Sequence, residues 1–368
     1  MDEQIQQPAQ IQSTASSATH RAVEATGVQT LRGIACVLVV ALHTVGWSPT
    51  TGMQVDEGTF YRNLADLFAP LRMPLFTFLS GFVYAYFPVT TGRVAPFATK
   101  KLRRLGLPLL TLTTIYYLLT FVAGDVNGKV PIGDAWRIYV FPYVHLWFLQ
   151  GIALIFAALI VLERVGALAT FRRFAATLIC AIAAGATIGG LAYESLFSYE
   201  NAIYLLPFFL LGLGANRFRQ VLLRPVVAWA CTLAFVIAAA FHFNLVLQVG
   251  AVTPKLIVLV IGFSGVLALI YFTPRWAPLE RLGAYSYTIY LLHPFAVAPS
   301  RKILQALNLD PAAVLFGVCL MAGILAPIVF EHLARRVPIA RQWLLGQSRN
   351  PTARTRGSLP AAEGASAS

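Results

Sequence analysis

Two residues able to carry charge, Arg32 and His43, lie inside the first long apolar stretch of the chain. An ionisable side chain is costly in membrane hydrocarbon and is usually kept there for function. A helix turns through about 1100° over the eleven residues that separate them, which is three full turns and about 20° more. Both side chains therefore share one face, about 16 Å apart along the axis. The pattern predicts a guanidinium near one membrane surface and an imidazole toward the other. A reaction that links two compartments would need such a pair.

The composition supports the membrane interpretation of this stretch. The chain has 368 residues, of which 58% are hydrophobic and 12% are charged. A soluble domain carries about twice that charged fraction. The net charge of +13 does not indicate nucleic-acid binding, because the basic residues are dispersed in short loops and act as topology signals. We therefore expect an all-α polytopic integral membrane protein.

Apolar stretches of near-spanning length recur along the chain and predict about ten transmembrane helices. The predicted spans are 29–46, 66–87, 105–123, 144–162, 174–192, 201–215, 225–243, 254–273, 283–299 and 311–332. The sixth is short and is also compatible with a re-entrant segment. Residues 28–342 thus form the predicted transmembrane domain, with disordered tails at 1–27 and 343–368.

The charges between the spans predict their orientation. Even-numbered spans are followed by basic residues: Arg93, Lys100, Lys101, Arg103, Arg104, Arg164, Arg172, Arg173, Arg217, Arg219, Arg224, Arg275, Arg281, Arg335, Arg336 and Arg341. Odd-numbered spans are followed mainly by acidic residues: Asp56, Glu57, Asp125, Asp134, Glu194, Glu200 and Asp310. By the positive-inside rule, both termini are expected in the cytoplasm. The protein is expected to cross the cell (inner) membrane several times. The Lys100–Arg104 cluster is interpreted as a topology anchor, with attraction of an anionic cofactor as the alternative.

With this orientation, further polar residues fall in the outer half of the membrane. Arg72 lies in the second span, His145 opens the fourth, and His293 lies in the ninth. Their convergence on the His43 end favours a functional site. The competing interpretations are histidines satisfied by interhelical hydrogen bonds and an Arg72 that reaches the headgroups. The cysteines have no CxxC spacing, so neither a disulfide nor a metal site is expected.

These segments, in this order, resemble the membrane-bound acyltransferase-3 family, which includes O-acetyltransferases and succinyltransferases of bacterial surface polysaccharides and a nodulation-factor acetylase. The matching pieces are the Arg32/His43 pair, Arg72-Met-Pro-Leu-Phe with Leu79-Ser-Gly-Phe82, His145-Leu-Trp-Phe-Leu149, and Gly283 to Pro294. The chain has Met73-Pro-Leu-Phe where many members have Asp-Leu-Phe-Phe, so it looks closer to the branch with Arg/His-Met-Pro-Leu-Phe.

The resemblance implies an O-acyltransferase. Its donor would be acyl-CoA, most simply acetyl-CoA, used as a co-substrate from the cytoplasm with no permanently bound cofactor. Its acceptor would be a hydroxyl of a cell-surface or exported glycan, or of the lipid-linked precursor. His43 would be the general base, Arg32 would meet donor phosphates, and Arg72 would stabilise an oxyanion or orient the acceptor. The acceptor side would include His145, Trp147 and His293.

Two alternatives remain open at this level. A secondary transporter or a lipid-linked sugar flippase would share the spans and the intramembrane ionisable groups. The absence of a sequence repeat between two halves counts against both. Within the enzyme class, succinyl transfer stands beside acetyl transfer.

Overall fold

A computed structural model describes residues 27–89, 91–122, 129–190, 194–248 and 252–348. Within these ranges the regular structure is helical, with no strand. The predicted tails lie outside the described residues, except for Gly27 and residues 343–348. Leu345 in that last stretch is fully buried, so packed structure extends past the predicted domain boundary at 342.

The α-helices of the described ranges are numbered here in chain order. They are α1 Val28–Val45, α2 Phe60–Leu67, α3 Ala69–Tyr84, α4 Val94–Lys101, α5 Leu107–Val122, α6 Arg137–Val140, α7 Trp147–Arg164, α8 Phe171–Thr187, α9 Tyr199–Arg217, α10 Arg219–Leu222, α11 Pro225–Val246, α12 Lys255–Phe272, α13 Ala277–Ala284, α14 Ser286–Ala306, α15 Ala312–Ala334 and α16 Pro338–Trp343. A π-helical turn, Leu102–Gly106, joins α4 to α5, and a 3₁₀ turn, Val144–Leu146, leads into α7.

Eight helical segments in the described ranges are long and apolar enough to cross a membrane. They correspond to all the predicted spans except the fifth and the ninth, whose helices are α8 and α14. Helix α8 has only 17 residues, and α14 carries Arg301 and Lys302 near its end. The predicted sixth span is not short, because α9 has 19 residues. The all-α polytopic membrane fold is confirmed.

Glycine and proline determine several helix ends. Helix α1 stops at Val45 because Gly46 adopts a φ of 93°, which a side chain rarely tolerates. Proline stands at the first position of α11 and directly before α12 and α15. A proline tolerates the first helical turn, where its missing N–H has no partner to lose.

Helix α9 lies at the centre of the bundle and packs most extensively against α3. A Cβ at Gly81 of α3 would lie 1.9 Å from the Phe209 oxygen, and one at Gly212 of α9 would lie 1.9 Å from the Phe78 oxygen. The two glycines therefore let the backbones approach closely, as small residues do in membrane helix pairs. By contrast, only 17% of the α11 span is buried, against 67% for the span containing α9.

Contacts between residues that are far apart in the sequence identify one end of the bundle. Arg217 pairs with Glu163 at 2.7 Å, and the Trp276 amide donates to the Thr30 hydroxyl at 3.0 Å. These contacts join the ends of α7 and α9 and of α12 and α1, all on the side of the basic loops. We call this side the inner end and the opposite side the outer end.

Candidate active site

Three histidines from separate elements meet toward the outer end. The His43 ring on α1 lies 4.7 Å, centroid to centroid, from His293 on α14 and 6.0 Å from His145. The His145 and His293 centroids are 5.3 Å apart. His145 precedes α7, so the cluster joins residues that are far apart in sequence. The convergence expected for these three histidines is therefore present in the structure.

The hydrogen bonds of His293 define which of its nitrogens carries the proton. Nδ1 lies 2.8 Å from the Ile289 oxygen and 2.9 Å from the Tyr290 oxygen, and carbonyls only accept. Nδ1 is therefore the donor, and Nε2 of the neutral ring is an acceptor. Pro294 contributes to this arrangement, because it lacks the N–H that would otherwise bond the Tyr290 carbonyl. The Nε2 atom is buried and has no partner among the described residues.

His145 is oriented in a similar way by backbone atoms. Its Nε2 donates to the Leu291 oxygen at 3.1 Å, so Nδ1 of the neutral ring is left as an acceptor. The Tyr290 hydroxyl donates to the His145 carbonyl and holds this turn against α14. Within the described ranges, no group of His, Cys, Asp and Glu side chains has the geometry to hold a metal ion.

His43 differs from the other two histidines because it reaches a cavity. This outer cavity, of about 170 Å³, is lined by His43 together with Trp47, Tyr116, Arg301, Lys302 and small residues of the 46–54 loop. His145 and His293 lie behind it and are buried. The Tyr116 ring stands 6.4 Å from the His145 ring, so this tyrosine connects the cavity wall with the histidine cluster.

Two other predicted residues lie away from the cavity wall. Arg72 is buried, and its guanidinium donates to the Ala65 carbonyl at 2.9 Å, which ties α3 to α2. Its charge is still near enough to act on His43. Trp147 contacts Phe148 and packs against the main hydrophobic cluster of the bundle. The roles assigned to these two side chains stay predictions.

A second and larger cavity opens at the inner end. It has a volume of about 950 Å³ and is lined by parts of α4, the π turn, α14, α15 and the segment after α16. Five of its lining side chains are basic: Lys100, Arg103, Arg104, Arg335 and Arg341. Its single lining carboxylate, Glu331, pairs with Arg335 at 2.6 Å and accepts from Thr288. The cavity therefore carries a strong positive charge.

Arg32 lies beside this inner cavity rather than in its wall. It is half-buried, packs near Gly283 of α13, and lies within electrostatic range of Arg104. The chain turns at Gly346, with a φ of 61°, and returns against the Arg104 backbone. Helix α1 thus runs from a residue next to the inner cavity to a residue lining the outer one.

The sequence interpretation missed part of both cavities. Tyr116 and Arg301 were not candidate residues, and Arg341 was interpreted only as a topology signal. The alternation of basic loops indicated that Lys100 and Arg341 share one side of the membrane. It carried no information on which loops fold together into one cavity.

The family model of the acyltransferase-3 acyltransferase domain matches residues 26–331, which includes both ends of α1 and all three clustered histidines. No curated protein and no solved structure matched significantly. Because the family model covers most of the chain, the chain belongs to the membrane-bound acyltransferase-3 family and is an acyltransferase that transfers groups other than aminoacyl groups.

Proposed function

We propose that this protein moves an acyl group, most simply acetyl, from acyl-CoA to a hydroxyl of a glycan or its lipid-linked precursor in the cell membrane. The observation that carries the proposal is the pair of polar cavities at opposite ends of α1, with His43 in the outer one and a basic cavity beside Arg32. Membership of an acyltransferase family favours this over transport or flipping of a lipid-linked sugar.

The inner cavity has the charge expected for a site that accepts coenzyme A. The coenzyme carries several phosphate groups, and guanidinium groups bind phosphate oxygens in a bidentate manner. Arg103, Arg104 and Arg341 line the cavity, and its single lining carboxylate, Glu331, is paired with Arg335. Arg32 would add a further positive charge behind this wall.

The outer cavity offers the base for the transfer step. His43 would take the proton of the acceptor hydroxyl as its oxygen attacks the thioester carbonyl carbon. The new C–O bond forms, the C–S bond breaks, and the proton passes from His43 to the departing thiolate of coenzyme A. The Arg72 charge near His43 would stabilise the oxyanion that forms in between.

The proposal is tested by transfer of radiolabelled acetyl from acetyl-CoA into surface glycan of cells that carry the protein. The wild type should incorporate label, and His43→Ala should reduce incorporation by at least about a hundredfold, the range of general-base catalysis. His332→Ala is the matched control, because His332 is an exposed histidine of α15 at the inner end. Normal labelling by a correctly inserted His43→Ala variant would contradict the assignment of the base.

The acceptor is identified by comparing glycans of cells with and without the gene by mass spectrometry. A mass difference of one acetyl or one succinyl unit would identify both the acyl group and the glycan that carries it. Unchanged glycans with transport of an unmodified precursor would favour the flippase alternative.

A further inference from the structure

Arg301 is a positive charge at the outer cavity that has no acidic partner among the described residues. It is half-buried at the end of α14 and forms no ion pair with any described residue. The ionisable groups that act on it are the Tyr116 phenol and the Cys319 thiol, neither of which is a carboxylate. An arginine held in this setting is suited to an oxyanion supplied by a ligand.

The surroundings of Arg301 strengthen this interpretation. Lys302 lines the same cavity, and no Asp or Glu is among its lining residues. Tyr116, which lies near Arg301, contacts the His145 ring of the histidine cluster. The positive charge therefore lies on the same cavity wall as the imidazole of His43. This positive charge is unusual at the outer end, because the loops at this end of the bundle are mainly acidic.

We propose that the outer cavity selects acceptors that carry an oxyanion, either the carboxylate of an acidic sugar or the phosphate of a lipid-linked glycan. Arg301 binds the oxyanion, and this contact holds a neighbouring hydroxyl toward His43. The proposal rests on the proposed function for the presence of an acceptor, and it adds the chemical class that this acceptor has. Arg301 is thus a specificity-determining residue.

Equilibrium binding tests this independently of acyl transfer. The protein is reconstituted in phosphatidylcholine vesicles with the outer end exposed, so that added ligands do not reach the basic inner cavity. Glucuronic acid, inorganic pyrophosphate and neutral glucose are titrated, and binding is followed by the fluorescence of Trp47, which lines the cavity. Trp47→Phe establishes that the signal comes from there.

The wild type should bind glucuronic acid or pyrophosphate and not glucose. Arg301→Gln should weaken that binding about tenfold or more, since hydrogen bonds to charged groups are the strong ones, and Arg301→Lys should retain part of it. Arg137→Gln is the matched control, because Arg137 is an exposed arginine near the outer end that lies outside the cavity. Thermal unfolding and calorimetric titration of each variant separate lost binding from lost folding.

Three outcomes would overturn the proposal. Equal binding by Arg301→Gln and the wild type would exclude the arginine, and equal binding of glucose and glucuronic acid would exclude oxyanion selection. Displacement of the ligands from the wild type by phosphatidylglycerol would identify a lipid-headgroup site instead. None of these results bears on His43 as the base, so the two proposals fail separately.

Discussion

His43, His145 and His293 illustrate how similar side chains acquire different properties from their surroundings. His145 and His293 are buried and bonded to carbonyls of α14, so their protonated nitrogens are determined. Of the three, only His43 lines the outer cavity. The Nε2 atom of His293 is buried and has no partner among the described residues, an arrangement that costs stability.

We expect His293 to be a positioning residue that orients the His43 ring. His293→Leu removes the buried acceptor nitrogen and should lower kcat about 10- to 100-fold, the equivalent of losing about 1.4 to 2.7 kcal/mol of transition-state stabilisation. The KM for acetyl-CoA should hardly change, because the inner cavity proposed for the donor lies at the other end of α1.

Pro294→Ala is the companion variant for this test. The new N–H at position 294 competes for the Tyr290 carbonyl and loosens the His293 ring, so a smaller loss of kcat is expected. Steady-state kinetics of both variants measure the effect. An unchanged kcat in His293→Leu would contradict the positioning role.

At the scale of helices, close backbone contacts hold α1 and the central α9 in place. Gly81 and Gly212 form the crossing of α3 with α9, and Gly33 and Gly283 form that of α1 with α13. A Cβ at Gly283 would lie 2.0 Å from the Gln29 oxygen and 3.2 Å from the Arg32 Cβ. The position of Arg32 therefore depends on a glycine of a neighbouring helix.

The close approach of α3 and α9 leads to a prediction about stability. Gly212→Ala should force the two helices apart and destabilise the protein by about 1–3 kcal/mol or more, the usual range for overpacking. Gly317→Ala on α15 is the matched control, because nothing lies within 4 Å of its added methyl. Thermal unfolding in detergent measures both, and a Gly212→Ala variant as stable as Gly317→Ala would contradict the crossing.

At the scale of the molecule, the bundle separates a basic inner cavity of about 950 Å³ from a smaller outer cavity of about 170 Å³. Helix α1 connects them, with Arg32 and His43 toward its two ends. This arrangement suits a reaction whose donor and acceptor approach from opposite sides. It also predicts which surfaces a reagent reaches from each side.

Single cysteines in a cysteine-free background test the two cavities and their sidedness. An impermeant thiol reagent should label Thr50→Cys from outside the cell and Thr99→Cys only in inverted membranes, since these residues line the outer and inner cavities. Acetyl-CoA should slow labelling of Thr99→Cys several-fold while leaving Ala169→Cys, in an exposed inner loop, unaffected. Equal protection of both cysteines would count against donor binding in the inner cavity.

The sequence by itself determined the elements, because membrane thickness sets a minimum apolar length that can be identified locally. It placed Arg32 and His43 on one helix and indicated that three histidines lie at a common depth. Only the tertiary structure decided that these histidines lie against one another, that Arg104 and Arg341 share a cavity, and that Arg72 and Trp147 are not among the residues lining the outer cavity. The depth of a residue in the membrane follows from its position along its helix. The rotation of that helix about its axis, and therefore the neighbours of the residue, follow from packing between helices, such as the contact of Gly81 with Phe209.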